Sequence, residues 1–204
     1  MASTPSTALL ISGGVDSSVA AQVLMEQGIR PDLYYIAIGP DQDFKGYDCK
    51  MEEDIDLCKL VARRFGLAFD IVPLHKEYWD MVVQYHIETL KAGRTPNPDL
   101  LCNQLIKFGA FEEKVGYKYD RLATGHYAWI QETEAGRFLH TAKDKHKDQT
   151  YFLAQLSAKQ ISRLMFPIGQ LTKPEVRKIA SELDFPNAAR KDSQGICFIG
   201  RSHY

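Results

Sequence analysis

The segment Ser12-Gly13-Gly14-Val15-Asp16-Ser17 follows directly on an apolar run at residues 8–11, and beyond it Ala20, Val23 and Leu24 recur at helical spacing. A strand is therefore expected to turn through two glycines into a helix. Such a helix begins with backbone N–H groups that have no acceptor inside it, and these point at whatever lies beyond the turn. Phosphate is the natural occupant. Gly13 and Gly14 let the backbone approach oxygen atoms closely, while the Ser12 and Ser17 hydroxyls can donate further hydrogen bonds. The loop lacks the Lys-Ser/Thr ending of the GxxxxGK(S/T) pattern and is not GxGxxG. Asp16 suits two roles, the N-cap of the helix or a hard oxygen ligand that helps place Mg²⁺ beside phosphates.

The rest of the chain supplies a scaffold for that loop. Residues 33–38 and 68–73 read as strands, and Ile55, Cys58, Ala62 and Phe65 mark one face of a helix ending near Gly66. Tyr78, Met81, Val82 and Tyr85 define another helix, which Gly93-Arg94-Thr95-Pro96-Asn97-Pro98 ends by excluding helical geometry around two prolines. Leu105, Phe108, Phe111 and Val115 predict a helix beginning close to Cys102. Residues 121–123 predict a short strand running into Thr124-Gly125-His126. This alternation favours a parallel sheet covered by helices, the α/β class. Residues 128–132 and 138–142 then read as a β-hairpin, and Val176, Ile179, Ala180 and Leu183 as a last helix before the polar loop 190–195.

Composition narrows the class further. With 204 residues, 45% hydrophobic and 25% charged, the chain has the make-up of a soluble α/β domain with a small appendage. No apolar run approaches the ~20 residues that span a bilayer, and residues 1–7 lack the basic and apolar regions of a secretory signal. The expectation is a cytoplasmic protein with no membrane partner. A net charge of −1 gives no global attraction for nucleic acid, so an RNA-binding surface has to be a local basic patch.

The four cysteines, Cys49, Cys58, Cys102 and Cys197, form no C-x-x-C pair and have no zinc-like spacing. Cys58 lies on the apolar face of a helix and reads as a buried structural thiol; Cys49 has no assigned role. His75, His86, His140, His146 and His203 have no metal-like spacing, so no metal-ligating set is expected. Tyr34, Tyr35, Tyr78 and Trp79 read as core or domain surface. Cys102 stands out because Pro96-Asn97-Pro98-Asp99-Leu100-Leu101 places it after a rigid turn near a helix N-terminus, where the helix dipole favours thiolate. Cys197 stands in Gly195-Ile196-Cys197-Phe198, beside a glycine-containing loop.

The loop 12–17 resembles that of the PP-loop ATP pyrophosphatases, a resemblance that implies a grip on the β- and γ-phosphates and chemistry at the α-phosphate. Over residues 10–200 the chain also resembles the tRNA-specific 2-thiouridylase (MnmA/TrmU) family, through SGGVDSS, AGRTPNPD with LCN, IKFGAF, ATGHYA, KDQTYFL, FPIGQLTKPEVRKIA and KDSQGICFIG. The resemblance implies a doubly wound nucleotide-binding domain over residues 1–200, the hairpin near 128–142 included. Residues 201–204 would be a short tail where the family's central domain and C-terminal β-barrel follow. It implies ATP and Mg²⁺ as cofactors and tRNA as substrate, with a persulfide donor of the cysteine-desulfurase type as partner. The implied reaction is adenylation of C2 of a wobble uridine followed by sulfur transfer, making the enzyme a tRNA-uridine 2-sulfurtransferase.

Carried onto this chain, the resemblance makes Cys197 the persulfide carrier, Cys102 its partner in a transient disulfide, and Asp99 a general acid/base. Ser12, Gly13, Gly14, Asp16, Ser17, Ile36 and Gly125 would hold ATP. Asn97, Pro98, Asp99, His126, Lys147, Asp148 and Gln149 would face tRNA, although by spacing alone Lys147-Asp148-Gln149 reads as a solvated turn. Two alternatives stay open: another PP-loop ligase whose cysteines are structural, or an ATP- and tRNA-binding fragment without full activity. A methyltransferase has little support, because no glycine-rich loop suits S-adenosylmethionine.

Overall fold

A computed structural model describes residues 5–38 and 51–192. Cys49, Cys197, His203, the stretch 39–47 and the tail 201–204 lie outside the described residues. Five strands form one parallel sheet: β1 (Thr7–Leu10), β2 (Asp32–Ala37), β3 (Phe69–Pro73), β4 (Arg121–Thr124) and, after the hairpin β5 (Ala128–Thr133) and β6 (Gly136–Thr141), the short β7 (Leu164–Met165). The order is β3-β2-β1-β4-β7. Parallel neighbours need crossovers, and helices supply them. These are α1 (Val15–Glu26), α2 (Met51–Phe65), α3 (75–91), α4 (98–114), the one-turn α5 (Ala158–Ile161) and α6 (Lys173–Glu182).

Alternation along β1 divides the core. Leu9 packs with Val19, Leu24, Cys58, Val61, Val176 and Ala180 under α1, α2 and α6. Ala8 and Leu10 turn to the other face, where Tyr78, Val82, Ile106 and Phe111 pack from α3 and α4. Helices on both faces of a doubly wound parallel sheet match the sequence expectation. Cys58 is fully buried, and burial pushes its thiol up to about 12, so it is the inert structural thiol that its helix position predicts.

The chain winds outward from β1 to β2 and β3, then crosses back to place β4 on the other side of β1. The strand order therefore reverses between β1 and β4. In open α/β sheets ligands lie beyond the carboxyl ends of the strands at such a reversal. The loop after β1 and the residues after β4, Gly125 onward, both flank it.

Two expectations about helix faces need correction. Tyr78 and Val82 are buried, but Met81 and Tyr85 are 43% and 37% exposed, while Val83, His86 and Thr89 face the core. The cause is a wide turn over Trp79–Val83, which takes one extra residue and rotates everything after it. In α4 a second wide stretch, Cys102–Ala110, leaves Leu105 half-buried and turns Ile106 fully inward. Helix α4 also starts earlier than expected, at Pro98 behind an Asn97 cap whose side chain accepts from the Leu100 amide, so Cys102 sits in its second turn.

Helix α6 begins with a capping box: Thr172 accepts from the Glu175 amide while Glu175 accepts from the Thr172 amide. Among the described residues no helix is long and apolar enough to cross a membrane. The phase shift in α3 is testable by urea unfolding. Val82→Ala should cost about 2 kcal/mol, whereas Met81→Ala should stay within about 0.5 kcal/mol. Equal losses would mean an unbroken α-helical phase.

Candidate active site

Gly13 has φ +71° and Gly14 is the N-cap of α1 in extended geometry. A side chain at Gly13 would also meet the backbone of Asp54 at 2.8 Å, so the first turn of α2 lies directly against the loop. Ser17 and Ser18 hydroxyls both donate to the Gly14 carbonyl, at 3.0 and 3.2 Å, and the Ser12 amide donates to Ser17 Oγ at 3.2 Å. From the far end of the described chain, Asn187 Nδ2 donates to the Gly13 carbonyl and to Ser18 Oγ, each at 2.8 Å. Arg190 reaches the same carbonyl at 3.2 Å and pairs with Asp54 at 2.5 Å. With its carbonyls occupied from behind, the loop is held rigid and its first-turn N–H groups are left to face outward.

Gly125 fixes the other wall. A Cβ there would lie 2.8 Å from the Ser17 amide nitrogen and 2.9 Å from its Cα, so the end of β4 touches the first turn of α1 backbone to backbone. The next residue, His126, turns to the opposite face of the sheet, its ring 6.3 Å from that of Phe108 in α4 and 6.1 Å from that of Phe166. Its Nδ1 is 2.7 Å from Thr124 Oγ1. Burial first, and then the Lys107 ammonium, push its pKa well below the ordinary value, so the imidazole is neutral at physiological pH.

Helix α4 carries Cys102 as a buried thiol inside the core on that same face. Asp99 lies one turn earlier. Burial raises its carboxyl pKa and Lys107 opposes the rise. Lys107 thus acts on both Asp99 and His126. Asn103 donates to the Asp99 carbonyl at 3.1 Å and the Phe152 carbonyl at 3.2 Å, and Asn97 donates to the Tyr151 hydroxyl at 3.1 Å. The start of α4 is therefore tied to the turn Thr150–Leu153.

An ion network closes the outer side of the phosphate loop. Asp16 accepts from Lys173 Nζ at 2.7 and 2.9 Å and from the Tyr127 hydroxyl at 2.9 Å. Lys173 also pairs with Asp192 at 2.6 Å, and Asp192 receives Lys147 at 2.9 Å and Arg177 at 2.6 Å. Burial alone would raise the Asp192 carboxyl, but Lys173 and Lys147 hold it down at about 2.

The sequence-predicted residues fall into three groups. Ser12, Gly13, Gly14, Asp16, Ser17 and Gly125 come together around one loop. Asn97, Pro98, Asp99, Cys102 and His126 gather on the α4 side of β4, and Ile36 is next to last in β2, packed against that same core. Lys147, Asp148 and Gln149 form a tightly bonded turn. Besides the Lys147 pair, Asp148 accepts from the Ala142 amide, and Gln149 exchanges hydrogen bonds with the Tyr127 backbone. Tyr127, Lys173, Asn187, Arg190 and Asp192 were not assigned roles from sequence. The one local signal is Thr172-Lys173-Pro174-Glu175, whose helix-start pattern places Lys173 at the tip of α6.

The family model described as "tRNA methyl transferase HUP domain" matches residues 6–201. A tRNA-specific 2-thiouridylase of Porphyromonas gingivalis is 56% identical over 97% of this chain and 55% of its own length, and one of Parabacteroides distasonis is also 56% identical with the same coverage. The chain thus spans about half the length of the curated relatives it matches. Among solved structures, the U34-tRNA thiolase NcsA of Methanococcus maripaludis, solved with its 4Fe-4S cluster, superposes with a TM-score of 0.52 at 22% identity, over 89% of this chain and 57% of that one. At that identity the likeness is one of fold.

The Asp192 network predicts a pH dependence. A carboxyl lowered to about 2 in the folded chain, against about 3.9 unfolded, stabilises the fold fully above the unfolded value and stops doing so as pH falls through 2. Asp192→Asn should lower the urea midpoint near neutral pH, and the gap to the parent should close between about pH 5 and pH 2. A gap independent of pH would show that the ion pairs do not carry it.

Proposed function

The chain belongs to the tRNA methyl transferase HUP-domain family, and from that membership we propose that it carries the nucleotide-activating and sulfur-transferring chemistry of a tRNA 2-thiouridine synthase. The observation that carries this reading is the placement of Gly125 and His126 at the end of β4. Gly125 lies against the first turn of α1 and the His126 ring lies 6.3 Å from that of Phe108, on the helix that also carries Cys102, which supports a nucleotide and a thiol on adjoining sides of one strand end. The relatives named tRNA-specific 2-thiouridylase support the choice of tRNA and sulfur. A 4-thiouridine synthetase of the same fold, solved with RNA and bound ATP, supports a triphosphate in the loop; its TM-score is 0.52 at 18% identity, over 92% of this chain and 43% of that one. The word methyl transferase in the family's description does not fit the loop, which offers a helix N-terminus and hydroxyls to phosphate.

In this reading the first-turn N–H groups of α1 and the Ser12 and Ser17 hydroxyls hold the β- and γ-phosphates. The uridine O2 attacks the α-phosphorus and pyrophosphate leaves, which turns the C2 oxygen into part of a good leaving group, AMP. Mg²⁺ would ride with the phosphates. One or two carboxylates suffice for it in such sites, and Asp16 is the carboxylate at hand. The terminal sulfur of a Cys197 persulfide attacks C2 and AMP departs. Cys102 attacks Cys197 Sγ, forms the disulfide and releases the sulfur to the base. Asp99, whose carboxyl pKa is raised above the ordinary value by burial, serves as the acid/base beside the target base. Asn97, Pro98, His126 and the turn at Lys147, Asp148 and Gln149 are the proposed tRNA-facing residues, with a desulfurase-type persulfide donor as partner.

The test supplies this chain with full-length tRNA, ATP-Mg²⁺ and a persulfide donor, and follows 2-thiouridine by mass spectrometry alongside AMP. Cys102→Ser should abolish 2-thiouridine, a loss of at least about 100-fold, while tRNA-dependent AMP formation continues. An unchanged 2-thiouridine yield in Cys102→Ser would remove the disulfide step, and AMP formation without any 2-thiouridine from the parent chain would favour a PP-loop ligase with structural cysteines.

A further inference from the structure

We propose that Lys173 is a phosphate-binding residue of the nucleotide site, recruited from α6 to select a triphosphate over a monophosphate. The proposal rests on the reading of the loop 12–17 as a phosphate site. Asp16 occupies the first turn of α1, the place where an anionic ligand meets the helix N-terminus, and an unopposed carboxylate there would repel it. The Lys173 ammonium lies 2.7 and 2.9 Å from the two Asp16 oxygens, and its side chain is only 11% exposed. It is also 2.6 Å from Asp192 and 5.8 Å from the centre of the Tyr127 ring.

The partners around it overlap. Lys173, Lys147 and Arg177 are joined by ion pairs to two carboxylates, Asp16 and Asp192, and a third carboxylate, Asp144, acts on Lys147 and takes the Lys173 amide. Asp192 keeps Lys147 and Arg177 as partners if Lys173 swings toward a ligand, so the movement strands no carboxylate there. Tyr127 continues to donate to Asp16, and because an ammonium carries three N–H donors, Lys173 can keep one on Asp16 while another takes a phosphate oxygen. Lys173 is thus the member of the network that can exchange a carboxylate for a phosphate oxygen at least loss. Its backbone is anchored at the helix tip, where the Lys173 amide donates to Asp144 at 2.9 Å, so only the side chain need move.

The position sets the specificity. A cation at the first turn of α1 acts on the terminal phosphates that the turn's N–H groups hold and not on the nucleoside end. Removal of its charge should therefore weaken ATP far more than AMP.

The experiment is calorimetric titration of the 204-residue chain with ATP-Mg²⁺ and, separately, with AMP, with thermal unfolding recorded for each variant. Lys173→Met should weaken ATP by roughly 10- to 100-fold and leave AMP within about twofold, while Lys173→Arg should retain most of the ATP affinity. Asp16→Asn combined with Lys173→Met separates direct contact from mere neutralisation of Asp16. Measured against Asp16→Asn alone, direct contact predicts that the double variant binds ATP more weakly still, and equal ATP affinity of the two overturns the proposal. Equal losses for ATP and AMP, or an unchanged ATP affinity in a folded Lys173→Met, overturn it as well. If Lys173→Met does not fold, the comparison of Lys173→Arg with the double variant, in which Asp16 no longer needs a counter-charge, decides in the same way. A parent chain that binds no ATP at all would instead remove the phosphate-site reading itself.

Discussion

The contact between Gly125 and Ser17 is the constraint on which the rest of the site depends. Two backbones meet at a distance no Cβ would allow, and that closeness puts the carboxyl end of β4 on the first turn of α1. The sheet reverses its strand order between these same two strands, so the contact sits at the mouth of the crevice that such a reversal creates. His126 crosses to the α4 face and Tyr127 returns to the α1 face, where its hydroxyl meets Asp16. The change of face between His126 and Tyr127, made in a bend just past one glycine, separates the Asp16 side of the strand end from the Cys102 side.

The two sides differ in electrostatic character, and the difference suits their proposed tasks. Around Asp16 the groups are charged, paired and partly open to water, as a site for a highly charged ligand requires. Around the buried Cys102 they are half-buried. The His126 imidazole is kept neutral, the Asp99 carboxyl is pushed toward its protonated form, and Lys107 is the cation acting on both. In such surroundings an acid holds its proton to higher pH than it would in water, and a neutral histidine can accept a hydrogen bond without bringing charge into the core.

Much of this was legible in the sequence, and the remainder has identifiable physical causes. The loop 12–17 and the strand-helix alternation were readable because each depends on near neighbours: apolar spacing, glycines and prolines. The face of α3 was misassigned at Met81 and Tyr85 because the wide turn at Trp79–Val83 leaves no mark in an apolar pattern read at 3.6 residues per turn. Cys102 was expected nearer the helix end, since the Asn97 cap and Pro98 were read as a loop and not as the helix's first residues. Lys173 escaped notice for another reason. Its partner Asp16 is 157 positions away, and no local pattern announces a pairing over that distance. Asn187 and Arg190, which brace Gly13 from behind, were hidden in the same way.

The proposed reaction turns on one atom: in it, the oxygen at C2 of an RNA uridine reaches the α-phosphorus of a nucleotide held at the start of α1. A tRNA whose target uridine carries ¹⁸O at C2 makes that encounter visible in the AMP produced with ATP, Mg²⁺ and a persulfide donor. Recovery of the heavy oxygen in the phosphate of AMP, in step with 2-thiouridine formed, is the expected result. Unlabelled AMP, with the isotope kept in the base or lost to water, would contradict it.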